Sequence, residues 1–287
     1  MTATLTIAIC TRDRPGPLHR CLQSIATGTR APHAVVVSDD SDTAREVCAA
    51  FPGVTYIAGP RRGLCANRNF VLKFVATTHF ALIDDDGYVS HDFVEQSLQL
   101  AEASPGIVFT GIVREAGTEI APSNSFFLGH FGKLPNNAPL RNINLNCNLM
   151  PTSVIKYAVF DEFIGWGYED TDFCAQMIAA GFEIKFTPLL KNYHEPPNGG
   201  SGPRRFQEVQ NARIYTSIKR HLIWQKSYPK LAVYIIAASA HRAVYGLKTR
   251  EWHYLAGTGA DMIAAIRGAW RERIRVSARL KSLSLNR

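Results

Sequence analysis

Three adjacent carboxylates, Asp84-Asp85-Asp86, follow the apolar stretch Phe80-Ala81-Leu82-Ile83. Like charges side by side repel one another and gain nothing from a hydrophobic core. They make chemical sense around a divalent cation, because hard oxygen ligands suit Mg²⁺, Mn²⁺ or Ca²⁺. Just beyond a buried parallel strand they would stand at the carboxyl edge of a sheet, where open α/β folds bind ligands. A solvated acidic turn ahead of Gly87 explains the same four residues equally well, so the run alone does not choose.

The elements that would position these groups can be read upstream. Leu5 to Cys10 is apolar and β-branched, and Thr11-Arg12-Asp13-Arg14-Pro15 follows it. A helical pattern then places Leu18, Cys21, Leu22 and Ile25 on one face. Residues 34–37 form a second short apolar run ending in Ser38-Asp39-Asp40-Ser41-Asp42, and 54–58 a third, with a helical pattern over 64–76 leading into Phe80. Strands alternating with helices at this spacing predict a mostly parallel sheet flanked by helices. Polar residues then end three strands on one edge, the arrangement a nucleotide site at a topological switch point needs. Beyond residue 107 the pattern loosens. A strand is expected at 107–113, an Asn-, Pro- and Gly-rich stretch over 115–148, a helix over 171–180 and a strand over 183–187. Residues 192–203 are too rich in Gly and Pro for regular structure and predict a mobile loop.

Five short motifs occur in order: Cys10-Thr11-Arg12-Asp13-Arg14-Pro15, Val37-Ser38-Asp39-Asp40-Ser41, Gly63 with Arg68-Asn69, the Asp84–Asp86 run, and Gly165-Trp166-Gly167-Tyr168-Glu169-Asp170. Together, over about residues 3–200, they resemble the inverting glycosyltransferases of family 2, with their Rossmann-like GT-A fold and DXD motif. The last block also resembles the β-1,4-galactosyltransferases and the chondroitin-polymerase type. The resemblance implies nucleotide-sugar contacts from Thr11, Arg12, Arg14, Asp40, Arg68, Asp84 and Asp85, with Asp40 accepting the uracil N3–H. It implies a Mn²⁺ or Mg²⁺ ion on Asp86, completed by His194, although a histidine before Pro-Pro is equally readable as a plain loop residue. Asp170 matches the general base of an inverting transfer, with Trp166 and Glu169 on the acceptor or donor sugar. For Glu169, Asp170 and Asp172, helix N-capping is the competing reading. The sequence departs from the family at Cys10, where proline is usual, and at Arg12, where a base-stacking tyrosine is usual. It lacks the Gln-x-x-Arg-Trp signature of processive synthases, which favours single addition.

Charge divides the chain. Residues 201–287 hold 17 Lys and Arg against 4 Asp and Glu, whereas residues 1–200 hold 15 against 20. The expected organisation is a catalytic domain over 1–203 (nucleotide-sugar half about 1–105, acceptor half about 106–203) and a basic, mainly helical region over 204–287. Helical patterns run roughly over 204–226, 229–247 and 253–280, and the last interleaves arginines with Ile266, Trp270 and Ile274. Such a face suits an anionic membrane surface; a helical subdomain packed on the catalytic domain with a solvated basic face fits the same pattern. No nucleic-acid module accompanies the charge. The six cysteines contain no Cys-x-x-Cys pair and predict reduced core thiols. With no signal peptide visible, the expected location is cytoplasmic or peripheral on the cytoplasmic face of the inner membrane. The expected function is transfer of a sugar, UDP-linked by preference, to a glycan or lipid-linked glycan in cell-surface polysaccharide synthesis. The alternative is a non-catalytic sugar-nucleotide or glycan-binding protein on the same fold.

Overall fold

The computed structural model of the protein describes residues 2–132, 138–195, 203–250 and 252–285. Its centre is β1 (Leu5–Thr11), buried along its whole length because no residue before Thr11 carries charge. On one side β1 pairs in parallel with β2 (Ala34–Asp39), which pairs in parallel with β3 (Val54–Ala58). On the other side it pairs in parallel with β4 (His79–Asp84). Helices α1 (Pro15–Ala26), α2 (Arg45–Ala49) and α3 (Leu64–Val71, extended by a 3₁₀ turn at Leu72–Phe74) make the crossovers. Register puts Cys10 opposite both Ser38 and Asp84, so the polar ends of three strands reach one edge together.

The sheet then changes direction. β10 (Asn148–Pro151) runs antiparallel to β4 and to β6 (Val108–Glu115). β6 pairs in parallel with β11 (Ile184–His194), and β11 runs antiparallel to β5 (Gly87–Val89) at the far end. The segment after Asp86 thus returns as an edge strand against β11, while α4 (Phe93–Ala103) leads from it back to β6. β7 (Thr118–Ile120) hangs on β6, and β8 (Asn124–Ser125) with β9 (Phe131–Gly132) forms a separate ribbon.

The Asn-rich stretch does structural work that the pattern alone did not reveal. The Asn148 side chain accepts from the Leu82 backbone N–H at 3.1 Å and donates to the Leu82 carbonyl at 2.7 Å. The Asn146 side chain accepts from the Asp84 N–H at 2.8 Å. A carboxamide offers donor and acceptor together and so can replace a neighbouring strand. These two hold the exit of β4, and with it the acidic run.

Helix α5 (Glu169–Ala179) begins after Gly167 and Tyr168, both in the left-handed region at φ 83° and 63°. Three long helices follow: α6 (Pro203–Lys219, continued by a π turn to Trp224), α7 (Tyr228–Thr249) and α8 (Trp252–Leu285). Ile214, Ile218, Tyr234, Ala238 and Ala269 from these helices share one hydrophobic cluster with Phe160, Phe173 and Met177. Lys219 is fully buried, its ammonium bonded to Asp161 at 2.7 Å and Asp172 at 2.8 Å. Tyr215 adds an O–H bond to Asp161 at 2.7 Å. All six cysteines are free and buried. Among the described residues no helix is long and apolar enough to cross a membrane.

β11 continues to His194, past the predicted end at 187 and into the expected loop; residues 196–202 of that loop lie outside the described residues.

Candidate active site

The ends of β1 and β4, the start of α5 and the end of β11 meet in one polar cluster, with the end of β2 beside it. Its floor is the acidic run. The Thr11 hydroxyl donates to Asp85 Oδ2 at 2.7 Å, and Arg14 donates from one nitrogen to Asp85 (3.0 Å) and Asp86 (2.7 Å). Burial pushes the Asp85 carboxyl up to about 6 despite the Thr11 bond and Arg14. Burial pulls Asp86 the same way, but His194 and Arg14 outweigh it and hold that carboxyl below its ordinary value.

Strand register explains His194. It sits opposite Gly87 on β5 and opposite Glu115 on β6, so its ring falls between two carboxylates. Nε2 lies 3.3 Å from Asp86 Oδ1 and Nδ1 lies 2.9 Å from Glu115 Oε2. The bond to Asp86, reinforced by Glu115, pushes the imidazole up to about 9 against the opposing effect of burial. A carboxylate oxygen facing an imidazole nitrogen, with a second carboxylate behind the ring, is a donor set that fits a divalent cation once the ring gives up its proton to the ion. Among the described residues no group of three or more such side chains gathers to hold an ion alone. The donor set therefore suits a cation that shares its coordination with substrate phosphates and water. Glu115 was not legible in the sequence; only the β6–β11 register brings it here.

The second acidic station is the start of α5. Arg68, buried on α3, donates to Asp84 Oδ1 at 2.7 Å and to Glu169 Oε1 at 2.8 Å. Burial works against the guanidinium charge, but Asp84 and Glu169 together raise its pKa above the ordinary value. One side chain thus ties the acidic run to the residue next to Asp170. The Asp170 carboxylate accepts the Thr171 N–H at 2.7 Å. Burial first, and the Glu169 charge second, raise its pKa. Glu169 Oε2 is buried and has no hydrogen-bond partner among the described residues. Trp166 lies in the loop before α5, 39% exposed.

Asp40 sits at the β2 edge and accepts backbone N–H bonds from Arg61 (2.9 Å) and Gly63 (3.2 Å). Gly59 must be glycine, because a Cβ there would lie 2.4 Å from Asp40 Oδ1. Arg12 is not drawn into the cluster. It stays in solvent 3.6 Å from Asp13, and Arg14 alone of this pair reaches the acidic run. Arg68, which the resemblance places among the nucleotide-sugar contacts, is engaged with the carboxylates of Asp84 and Glu169. A cavity of about 610 Å³ lies along α5, with Tyr168, Thr171, Ile178, Phe182, Arg220 and Trp224 among its walls and none of the acidic run.

Comparison with known proteins agrees with this architecture. A family model described as glycosyl transferase family 2 matches residues 6–162, and one described as the N-terminal domain of galactosyltransferase matches residues 160–197. The chain belongs to glycosyl transferase family 2, and its fold is the GT-A fold of glycosyltransferases. The crystal structure of GalNAc-T7 with UDP, GalNAc and Mn²⁺ is similar at a TM-score of 0.57 and 14% identity, covering 80% of this chain and 53% of that one. This chain thus spans about half of that protein's length. S. aureus TarS 1–349 in complex with UDP-GlcNAc gives a TM-score of 0.58 at 16% identity, covering 92% of this chain and 81% of that one. Compared with curated protein sequences, the chain matches none.

Proposed function

We propose that the protein transfers a sugar with inversion from a nucleotide diphosphate sugar, UDP-linked by preference, to a hydroxyl of a glycan or lipid-linked glycan. The observation that carries this reading is the Asp84–Arg68–Glu169 bridge, because it ties the acidic run to the start of α5. Family membership and the fold shared with UDP-sugar-bound structures support a nucleotide-sugar donor.

The nucleotide half lies over the ends of β1 and β2, with Thr11 and Asp40 at its base. Asp86 and His194 would hold a Mn²⁺ or Mg²⁺ ion, with Glu115 fixing the imidazole. When bound, such an ion neutralises the charge that develops on a departing diphosphate. Arg14, a third exposed and already beside Asp86, adds a permanent positive charge on the same side. Asp170 takes the proton of the acceptor hydroxyl as its oxygen bonds to the anomeric carbon and the bond to the diphosphate oxygen breaks. Its raised pKa brings it nearer neutrality, where a general base transfers protons most effectively. Arg68 keeps Glu169 from crowding that proton with a second free charge. The cavity along α5 has Tyr168 and Thr171, which flank Glu169-Asp170 in sequence, in its wall, and we assign it to the body of the acceptor.

The test is UDP release from a panel of UDP-sugars with Mn²⁺, with and without EDTA. Donor-dependent release that EDTA abolishes and Asp170→Asn suppresses supports the proposal. Tight UDP-sugar binding with no turnover on any acceptor would instead identify a sugar-nucleotide binding protein.

A further inference from the structure

We infer that the outer faces of α7 and α8 form a docking surface for anionic lipid. The inference is independent of the transfer reading. α8 is anchored to the protein by Met262, Ala265, Ala269 and Val276, all buried in the core. On its opposite side Ile263, Trp270 and Ile274 recur at helical spacing with Arg267 between them. α7 does the same: Tyr234, Ala238 and Gly246 face inward, while Val233, Ile236, Val244 and Leu247 face water. These outward apolar residues are between 50% and 71% exposed. A solvated helix face is ordinarily polar, so two apolar rows on neighbouring helices indicate a surface that is covered in use.

The charge around the rows says by what. Arg267, Arg271 and Arg275 on α8 and Lys230 on α7 are exposed. The acidic residues on α8 are paired: Glu272, mostly buried, lies 3.7 Å from Arg275, and Asp261 lies 2.8 Å from the buried Arg242. Arg273 lies over the rings of both Tyr228 (5.8 Å) and Trp270 (5.0 Å), so the start of α7 and the middle of α8 share one aromatic and cationic edge. Indole, phenol and guanidinium together belong at a lipid headgroup layer. A second copy of the chain would bring like charge against like charge, because residues 201–287 carry 17 basic against 4 acidic residues. An anionic bilayer surface satisfies both the apolar rows and the charge.

Co-sedimentation of the full chain with vesicles tests this. The protein should pellet with phosphatidylglycerol–phosphatidylcholine vesicles at low salt, stay in solution with phosphatidylcholine alone, and be released by high salt. Ile236→Asp with Ile274→Asp should weaken the partition roughly tenfold or more, with circular dichroism unchanged because both side chains are exposed. Wild-type protein that never pellets, or a double variant that pellets like wild type, overturns the inference. So does a dimer in sedimentation velocity that the same variant dissolves, which would make the surface a contact between copies.

Discussion

Arg68 and Glu169, 101 residues apart in sequence, meet in a buried 2.8 Å ion pair. The same guanidinium holds Asp84, so one side chain determines how far apart the two acidic stations stand. Substituting Arg68 by Met leaves two carboxylates without their cation, one of them well buried. Breaking such a pair from one side costs about 3–5 kcal/mol. We expect a loss near the lower end of that range in urea unfolding, since Asp84 is a third exposed and can rehydrate. Arg68→Lys, which lacks the planar fork, should keep the fold and lose sugar transfer.

Asp170→Asn should lower kcat by about 10²–10⁴-fold, the usual contribution of a general base, while UDP binding measured by calorimetry stays the same. In the wild type the pKa is raised, which favours the protonated, inactive form. The base is therefore lost as pH falls, and the acid limb of the kcat profile should lie above the ordinary aspartate value of about 3.9. An acid limb at or below that value would assign the proton to another group.

Glu115→Gln should weaken Mn²⁺ affinity by about 10–100-fold, as removal of a partner behind a metal-binding imidazole does. The check is the Mn²⁺ concentration for half-maximal turnover. Unchanged Mn²⁺ dependence in this variant and in His194→Ala would remove the metal assignment from β11.

Much of the parallel sheet from β1 to β4 was legible because its signals are local. Unbroken apolar runs end in Thr11, Asp39 and Asp84, and parallel register carries those ends to one edge. Signals that depend on distant pairing were not. His194 reads equally as a metal ligand by resemblance or as a plain loop residue, but that it ends an 11-residue strand, with Glu115 joining it through the β6–β11 ladder, is not legible. Arg12 and Arg14 look alike in sequence. A left-handed turn at Asp13 lies between them, and of the two only Arg14 meets the acidic run.

Lys219 illustrates the same limit in the helices, where a lysine in a basic stretch reads as solvated but proves fully buried between Asp161 and Asp172. Because Asp172 is in the first turn of α5, this pair fastens α6 to the helix that carries Asp170. Lys219→Met leaves two buried carboxylates facing each other and should destabilise the protein by about 3–5 kcal/mol. Thermal unfolding with bound UDP as a control measures it; a change below about 0.5 kcal/mol, the range of ordinary surface substitutions, would contradict the burial.

The most direct test is a crystal structure of the Asp170→Asn protein with Mn²⁺ and an intact UDP-sugar. The diphosphate should lie against Asp86 and His194, with the uracil near Asp40 and the open face of the anomeric carbon toward residue 170. A donor bound in the cavity along α5, or an anomeric carbon turned away from residue 170, would contradict the account.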